Sequence, residues 1–211
     1  MKHQLYITCL FISFLLVTSV AHSTGTTKYQ HKLLLEEHPD YLTYETPEKG
    51  EMNAKILLED KIMIVELFTP VYNIHGVETA PNLRSEEENL LVANARQKFL
   101  NSPQQYFTFS PSKACTMQSL GYRLEQVEAG AKQAQPQNKK WHHYNVRAEL
   151  IFTCSKALPE SMSMTIFKAF PNLKEIHTQF IAYHSDLRRT VLTPEKPTIQ
   201  FTRSSGTNIK K

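Results

Sequence analysis

From Glu51 onward apolar and polar positions alternate: Met52, Ala54, Ile56 and Leu58 stand against Asn53, Lys55 and Leu57. After a Glu59-Asp60 turn the run KIMIVELFTP follows. A period of two marks a strand with one face inward, and two such runs around a short turn predict a hairpin that Pro70 ends. The next segment, NIHGVETAP from Asn73 to Pro81, is expected to be a loop in which Gly76 adopts a backbone that other residues avoid. Ser85 followed three residues later by Glu88 is a capping box, with Glu86 and Glu87 suited to a helix N-terminus. It predicts one helix to about Asn101, whose face of Leu90, Leu91, Ala93, Ala95 and Phe99 packs on a sheet.

Strand signals return at YFTF (106–109), at CTMQSLGYRLEQV (115–127) and at HYNVRAELIFTC (143–154), the last two reading as a long hairpin. Their connection, EAGAKQAQPQNKK from Glu128 to Lys140, has no apolar anchor and is expected to be mobile. MSMTIF, EIHTQFIA, RTVLT and TIQF add four short strands bounded by Pro159, Pro171, Pro194 and Pro197. Many short strands at this spacing predict a mainly β fold, an antiparallel β-sandwich with one α-helix.

The N-terminus changes the picture. Lys2 precedes an apolar run from Leu5 to Val20 that ends in small residues, which is the pattern of an export signal and too short for a spanning helix. Cleavage after Ala21 or after Ser23 both suit the small-residue rule; Ser23 is preferred, and no membrane insertion is expected once the segment is removed. Cys9 lies inside the run rather than at its end, so it is not read as a lipid attachment site. The expected organisation is therefore a signal peptide (1–23), an irregular arm carrying His31 and His38 (24–49), one β-sandwich-like domain (50–202) and a basic tail (203–211).

Loss of Cys9 with the signal leaves Cys115 and Cys154, a single pairing in an oxidising compartment, and predicts one disulfide. Two thiolates holding a metal is the alternative, but no CxxC spacing supports it. The 211 residues carry a formal charge of +4 and are 41% hydrophobic, enough for one domain with a sizeable core. Lysine and arginine are scattered rather than striped, which argues against nucleic acid as partner.

Catalytic chemistry finds no foothold. The run Glu86 to Glu88 is a helix start, Glu59-Asp60 a turn, and Glu36-Glu37 lies in the arm; there is no GxSxG, and both remaining cysteines are committed. The chain is not expected to be an enzyme.

The stretch FKAFPNLKEIHTQFIAYHSDLRRTVLTPEKPTIQF (167–201), the hairpin GEMNAKILLEDKIMIVELFTP (50–70), NIHGVETAP, and the pair Cys115 and Cys154 occur in an order and spacing that resemble the ZrgA-type periplasmic zinc-uptake proteins. The resemblance covers about Gly50 to Phe201. It implies a periplasmic protein that binds Zn²⁺ and passes it to inner-membrane zinc importer components.

This chain departs from the family where imidazoles suited to Zn²⁺ are usual. The HxHG before the first strand is replaced by Pro47, Glu48 and Lys49 ahead of Gly50, Thr79 stands where a histidine often follows Glu78, and the His-rich insert has shrunk to Glu128–Lys140, with three lysines and no histidine. What the resemblance leaves as metal ligands is His142 and His143 after Trp141, completed by His75 and Glu78 or by His31 and His38.

Adjacent strand residues point to opposite faces, which counts against His142 and His143 sharing one ion. His75 equally reads as a solvated loop histidine, Glu78 as a carboxylate accepting loop amides, and His177 and His184 as polar strand-face residues. An alternative function is a protein interaction module on the same scaffold, using Tyr122, Trp141 and Tyr144. Clustering of His75, His142 and His143 separates the two.

Overall fold

The computed structural model describes residues 46–127, 143–155, 159–182 and 187–201. The signal segment, the arm before Thr46, the connection with His142, and the tail lie outside the described residues, as do His31, His38 and His184.

Strands β1 (Glu51–Glu59) and β2 (Ile62–Pro70) form the hairpin that the alternation predicts, with Glu59 opposite Ile62. Asp60 sits at φ 50° in the turn between them, a left-handed position that aspartate tolerates better than most residues. The long hairpin is β4 (Cys115–Val127) with β5 (His143–Cys154). β7 (Glu175–Ala182) and β8 (Arg188–Leu192) complete a six-stranded sheet in the order β4-β5-β2-β1-β7-β8. Three short strands, β3 (Phe107–Ser110), β6 (Ser161–Met164) and β9 (Thr198–Gln200), form a second sheet in the order β3-β6-β9.

Every ladder is antiparallel except β1 with β7, which is parallel. The large sheet is therefore mixed rather than purely antiparallel, because β7 returns to the outer side of β1 after the chain has laid down β2 to β6.

One face of the large sheet carries the core. Ile56 pairs with Val65, Val65 with Leu150, and Ile56 with Phe180, so one buried row crosses four strands. Met162, Met164 and Ile199 of the small sheet are buried in the same cluster. Phe107 and Phe109 pack in edge-to-face arrangement with Phe152, ring centres 5.5 and 5.4 Å apart, and Phe201 does so with Phe180 at 6.1 Å. The result is a sandwich-like stack of two sheets. Burial of each such side chain contributes about 1.5–3 kcal/mol. The central strands are buried on their other face too, at Lys55, Leu57 and Ile64, where alternation alone led us to expect polar exposure. Burial pulls the Lys55 ammonium down to about 8. The predicted disulfide is present: Cys115 and Cys154 pair directly across β4 and β5, with S–S at 2.05 Å.

Among the described residues there are two α-helices, where one was expected. α1 (Val71–His75) is a single turn where a loop was expected. Pro70 delivers an extended backbone at its start, and Gly76, at φ 73°, closes it with an N–H donated to the Tyr72 carbonyl. α2 (Glu86–Asn101) begins with the predicted capping box, Ser85 and Glu88 bonding each other's backbone N–H. Its buried contact differs from expectation: only Phe99 is buried, while Leu90 and Leu91 are 61% and 49% exposed. At 3.6 residues per turn Leu90 lies on the side opposite Phe99, so the stripe that faces inward runs through Val92, Ala95 and Phe99.

Candidate functional site

The strand end at Pro70 and the helix α1 place His75 inside the protein. Asn73 fixes the helix to the start of β1. Its Oδ1 accepts the Gly50 N–H at 2.8 Å, and its Nδ2 donates to the Glu51 carbonyl at 2.7 Å and to Thr69 Oγ1 at 2.8 Å. Asn172 Nδ2 donates to the Tyr72 carbonyl at 3.2 Å from the other side. With the turn fastened by these four bonds, His75 is directed at β4 and is 4% exposed.

There His75 Nε2 meets the Tyr122 hydroxyl at 2.6 Å. Tyr122 belongs to an aromatic group that anchors α2: Phe99 lies 5.6 Å from Tyr122, 5.9 Å from Tyr106 and 6.0 Å from Phe170, ring centre to ring centre. Burial drives the imidazole down to about 4, helped by the nearby guanidiniums of Arg84 and Arg96. Burial also pushes the Tyr122 phenol upward. Both groups are thus neutral at neutral pH. The two share one hydrogen bond whose donor depends on the imidazole tautomer, and His75 Nδ1 is buried with no partner.

Two arginines border the pair. Arg84 Nε donates to the Thr79 carbonyl at 2.8 Å, while its Nη2 is buried without a partner. Arg96 lies over the Tyr122 ring at 5.7 Å. Thr79 also donates its hydroxyl to Glu88 Oε1, and this bond, with the Ser85 amide, holds the Glu88 carboxyl below its usual range.

The sequence-nominated ligands fall as follows. His75 has one ring nitrogen bonded to Tyr122 and two cationic side chains nearby. Glu78 is largely exposed and forms an ion pair with Lys49, Nζ to Oε1 at 2.5 Å. Lys49, which also lies 5.2 Å over the Tyr72 ring, is one of the residues that replace the family's HxH. His142 lies outside the described residues. His143 opens β5 opposite Val127, five residues along the strand from Ala148, the partner of Tyr122. That is a backbone separation of about 17 Å at the usual strand rise. Among the described residues no group of three or more His, Cys, Asp or Glu is arranged to hold a metal ion.

A second polar cluster lies on β1 and β7. Glu51 and Glu175 are direct cross-strand partners, and His177 Nε2 is 4.0 Å from Glu51 Oε1 and 3.5 Å from Glu175 Oε2. The imidazole separates two carboxylates that would otherwise repel.

Sequence reasoning singled out His75 through its neighbour Gly76, but it missed Arg84 and Arg96. Neither carries a local pattern, and both acquire meaning only when α2 packs beside β4.

The family described as ZrgA family zinc uptake protein matches residues 46–201. Comparison with curated proteins gives no match.

Proposed function

The chain belongs to the ZrgA family of zinc uptake proteins, and on that premise we propose that it is an exported accessory protein of zinc uptake. It binds Zn²⁺ through His142 and His143 and passes the ion to an inner-membrane importer; His75, bonded to Tyr122, and Glu78, paired with Lys49, are too far along the sheet from His143 to join them. The family match across most of the chain carries this reading. The apolar leader and the Cys115–Cys154 disulfide support an oxidising compartment outside the cytoplasm. No helix among the described residues is long and apolar enough to cross a membrane.

The test is a calorimetric Zn²⁺ titration of the chelator-stripped chain from Thr24, beside a variant with His142 and His143 both changed to alanine. Binding that disappears in the variant supports the reading. Equal binding in both, or none in either, refutes the histidine site.

A second reading, a protein interaction module on the same scaffold, is favoured by one observation. The two nominated ligands in the described residues are already engaged, His75 by Tyr122 and Glu78 by Lys49. A cation at either place must displace a partner or approach fixed positive charge.

A further inference from the structure

Ile151, Ile64, Leu57 and Ile181 form one row across four strands of the large sheet, each the direct cross-strand partner of the next. Alternation turns this row away from Ile56 and Val65, and none of the four belongs to the core cluster that the small sheet closes. Leu57, Ile64 and Ile181 are nevertheless 4%, 3% and 4% exposed. A sheet face open to water keeps part of each side chain wet, whereas strands covered on both faces read as continuous apolar runs. Ile56 to Leu58 on β1 and Ile62 to Val65 on β2 are such runs. The small sheet and the aromatic group around Phe99 both lie on the opposite face, so the described residues supply no second layer over this row.

The chain itself enters on this face. Thr46, Pro47 and Glu48 line an open groove of about 860 Å³ along β1, β7 and β8, and Pro47 is buried there. Leu42 stands five residues before Pro47, about 17 Å of extended chain, and Leu57 lies about 20 Å along β1 from Glu51. The segment just before Thr46 carries Tyr41, Leu42 and Tyr44, and in an extended chain Leu42 and Tyr44 share one side. Other stretches outside the described residues suit the row less: Glu128–Lys140 has no apolar anchor, and the tail from Arg203 is basic.

We propose that the arm segment 38–45 docks on the outer face of the large sheet, with Tyr41, Leu42 and Tyr44 covering Leu57, Ile64 and Ile181. The cover removes apolar surface from water, and its attachment at Thr46 keeps it at high local concentration. Docked in this way, the arm occupies a surface that would otherwise draw a second copy or another chain. The inference is independent of the zinc reading.

The experiment is urea unfolding of the exported chain from Thr24 beside an arm variant carrying Tyr41→Ser, Leu42→Ser and Tyr44→Ser together. The arm variant is expected to unfold at a midpoint lower by about 0.5–1 M and to bind an apolar fluorescent dye several-fold more strongly. A double-mutant cycle then places the contact: Leu57→Ala is made alone and in the arm variant. Because the two changes remove opposite sides of one contact, the combined shift is expected to be clearly smaller than the sum of the separate shifts. If Leu57→Ala does not fold, Leu57→Val runs the same cycle with a smaller shift. An unchanged midpoint and dye signal in the arm variant overturns the proposal, and so do additive shifts in the cycle. A wild-type chain that sediments as a dimer, with a midpoint that rises with protein concentration, overturns it too, because a second copy is then the cover.

Discussion

Replacing His75 with glutamine removes a titratable group from the interior and should flatten the acid limb of the stability curve. In the folded chain the imidazole titrates at about 4, against an ordinary value of 6.5. Above about pH 6.5 the group is neutral in both states and its contribution is fully present. Between those values only the unfolded chain takes up the proton, so stability must fall as pH is lowered through that window and level off below it. At about 1.4 kcal/mol per pH unit the gap is worth about 3 kcal/mol. The physical cause is burial first, then the guanidiniums of Arg84 and Arg96. Urea unfolding followed by circular dichroism from about pH 7.5 to about pH 4.5 reads the effect. The decisive quantity is the difference between wild type and variant at each pH, which cancels carboxylates that titrate alike in both. Glutamine also loses the Tyr122 bond, a cost of about 1–3 kcal/mol that is present at every pH and shifts the curve without tilting it. The wild type should therefore lose about 3 kcal/mol more than the variant on acidification. Parallel curves would refute a buried, neutral His75.

Two other perturbations test the frame around the site. Changing both Cys115 and Cys154 to serine opens a loop with a sequence separation of 39 residues and should cost about 4 kcal/mol on the chain-entropy model; an unchanged melting midpoint would show the bond to be irrelevant. Asn73→Ala strands the Gly50 N–H and leaves the Glu51 carbonyl with the Thr69 hydroxyl as its side-chain donor, and should cost about 1–3 kcal/mol in urea unfolding, with a loss below about 0.5 kcal/mol counting against Asn73 as the fastening of α1.

What could be read from the sequence was what depends on near neighbours. The alternation of Met52, Ala54, Ile56 and Leu58 gave β1, and Ser85 with Glu88 gave the start of α2, because period and cap are local. Pro70 and Gly76 were visible too, yet Pro70 read only as the end of a strand and Gly76 as a position inside a loop. Proline at the N-terminal edge and a left-handed glycine at the other edge equally frame one helical turn, and only the bonds of Asn73 to β1 decide for the turn. Pairing of β1 with β7 joins segments more than a hundred residues apart and leaves no periodic trace. The site follows the same division. His75 was nominated from its own loop, whereas Tyr122, which gives it a partner, is 47 residues away. Leu90 and Leu91 suggested an inward face because they are apolar, but the orientation of α2 is set by Phe99 in its aromatic group.

The ladder between β4 and β5 has a covalent rivet at one end, where Cys115 faces Cys154, and its last pair, Val127 and His143, at the other. A strand pinned in this way cannot slide by a residue without breaking the rivet, so its register no longer depends on what joins the far ends. The chain between Val127 and His143 therefore leaves and re-enters at one fixed doorway. Whatever the length and chemistry of that segment, the sheet, the Tyr122 position and everything leaning on it stay in place. In a family defined by zinc uptake, this is a frame on which the joining segment can be exchanged without redesigning the protein that carries it.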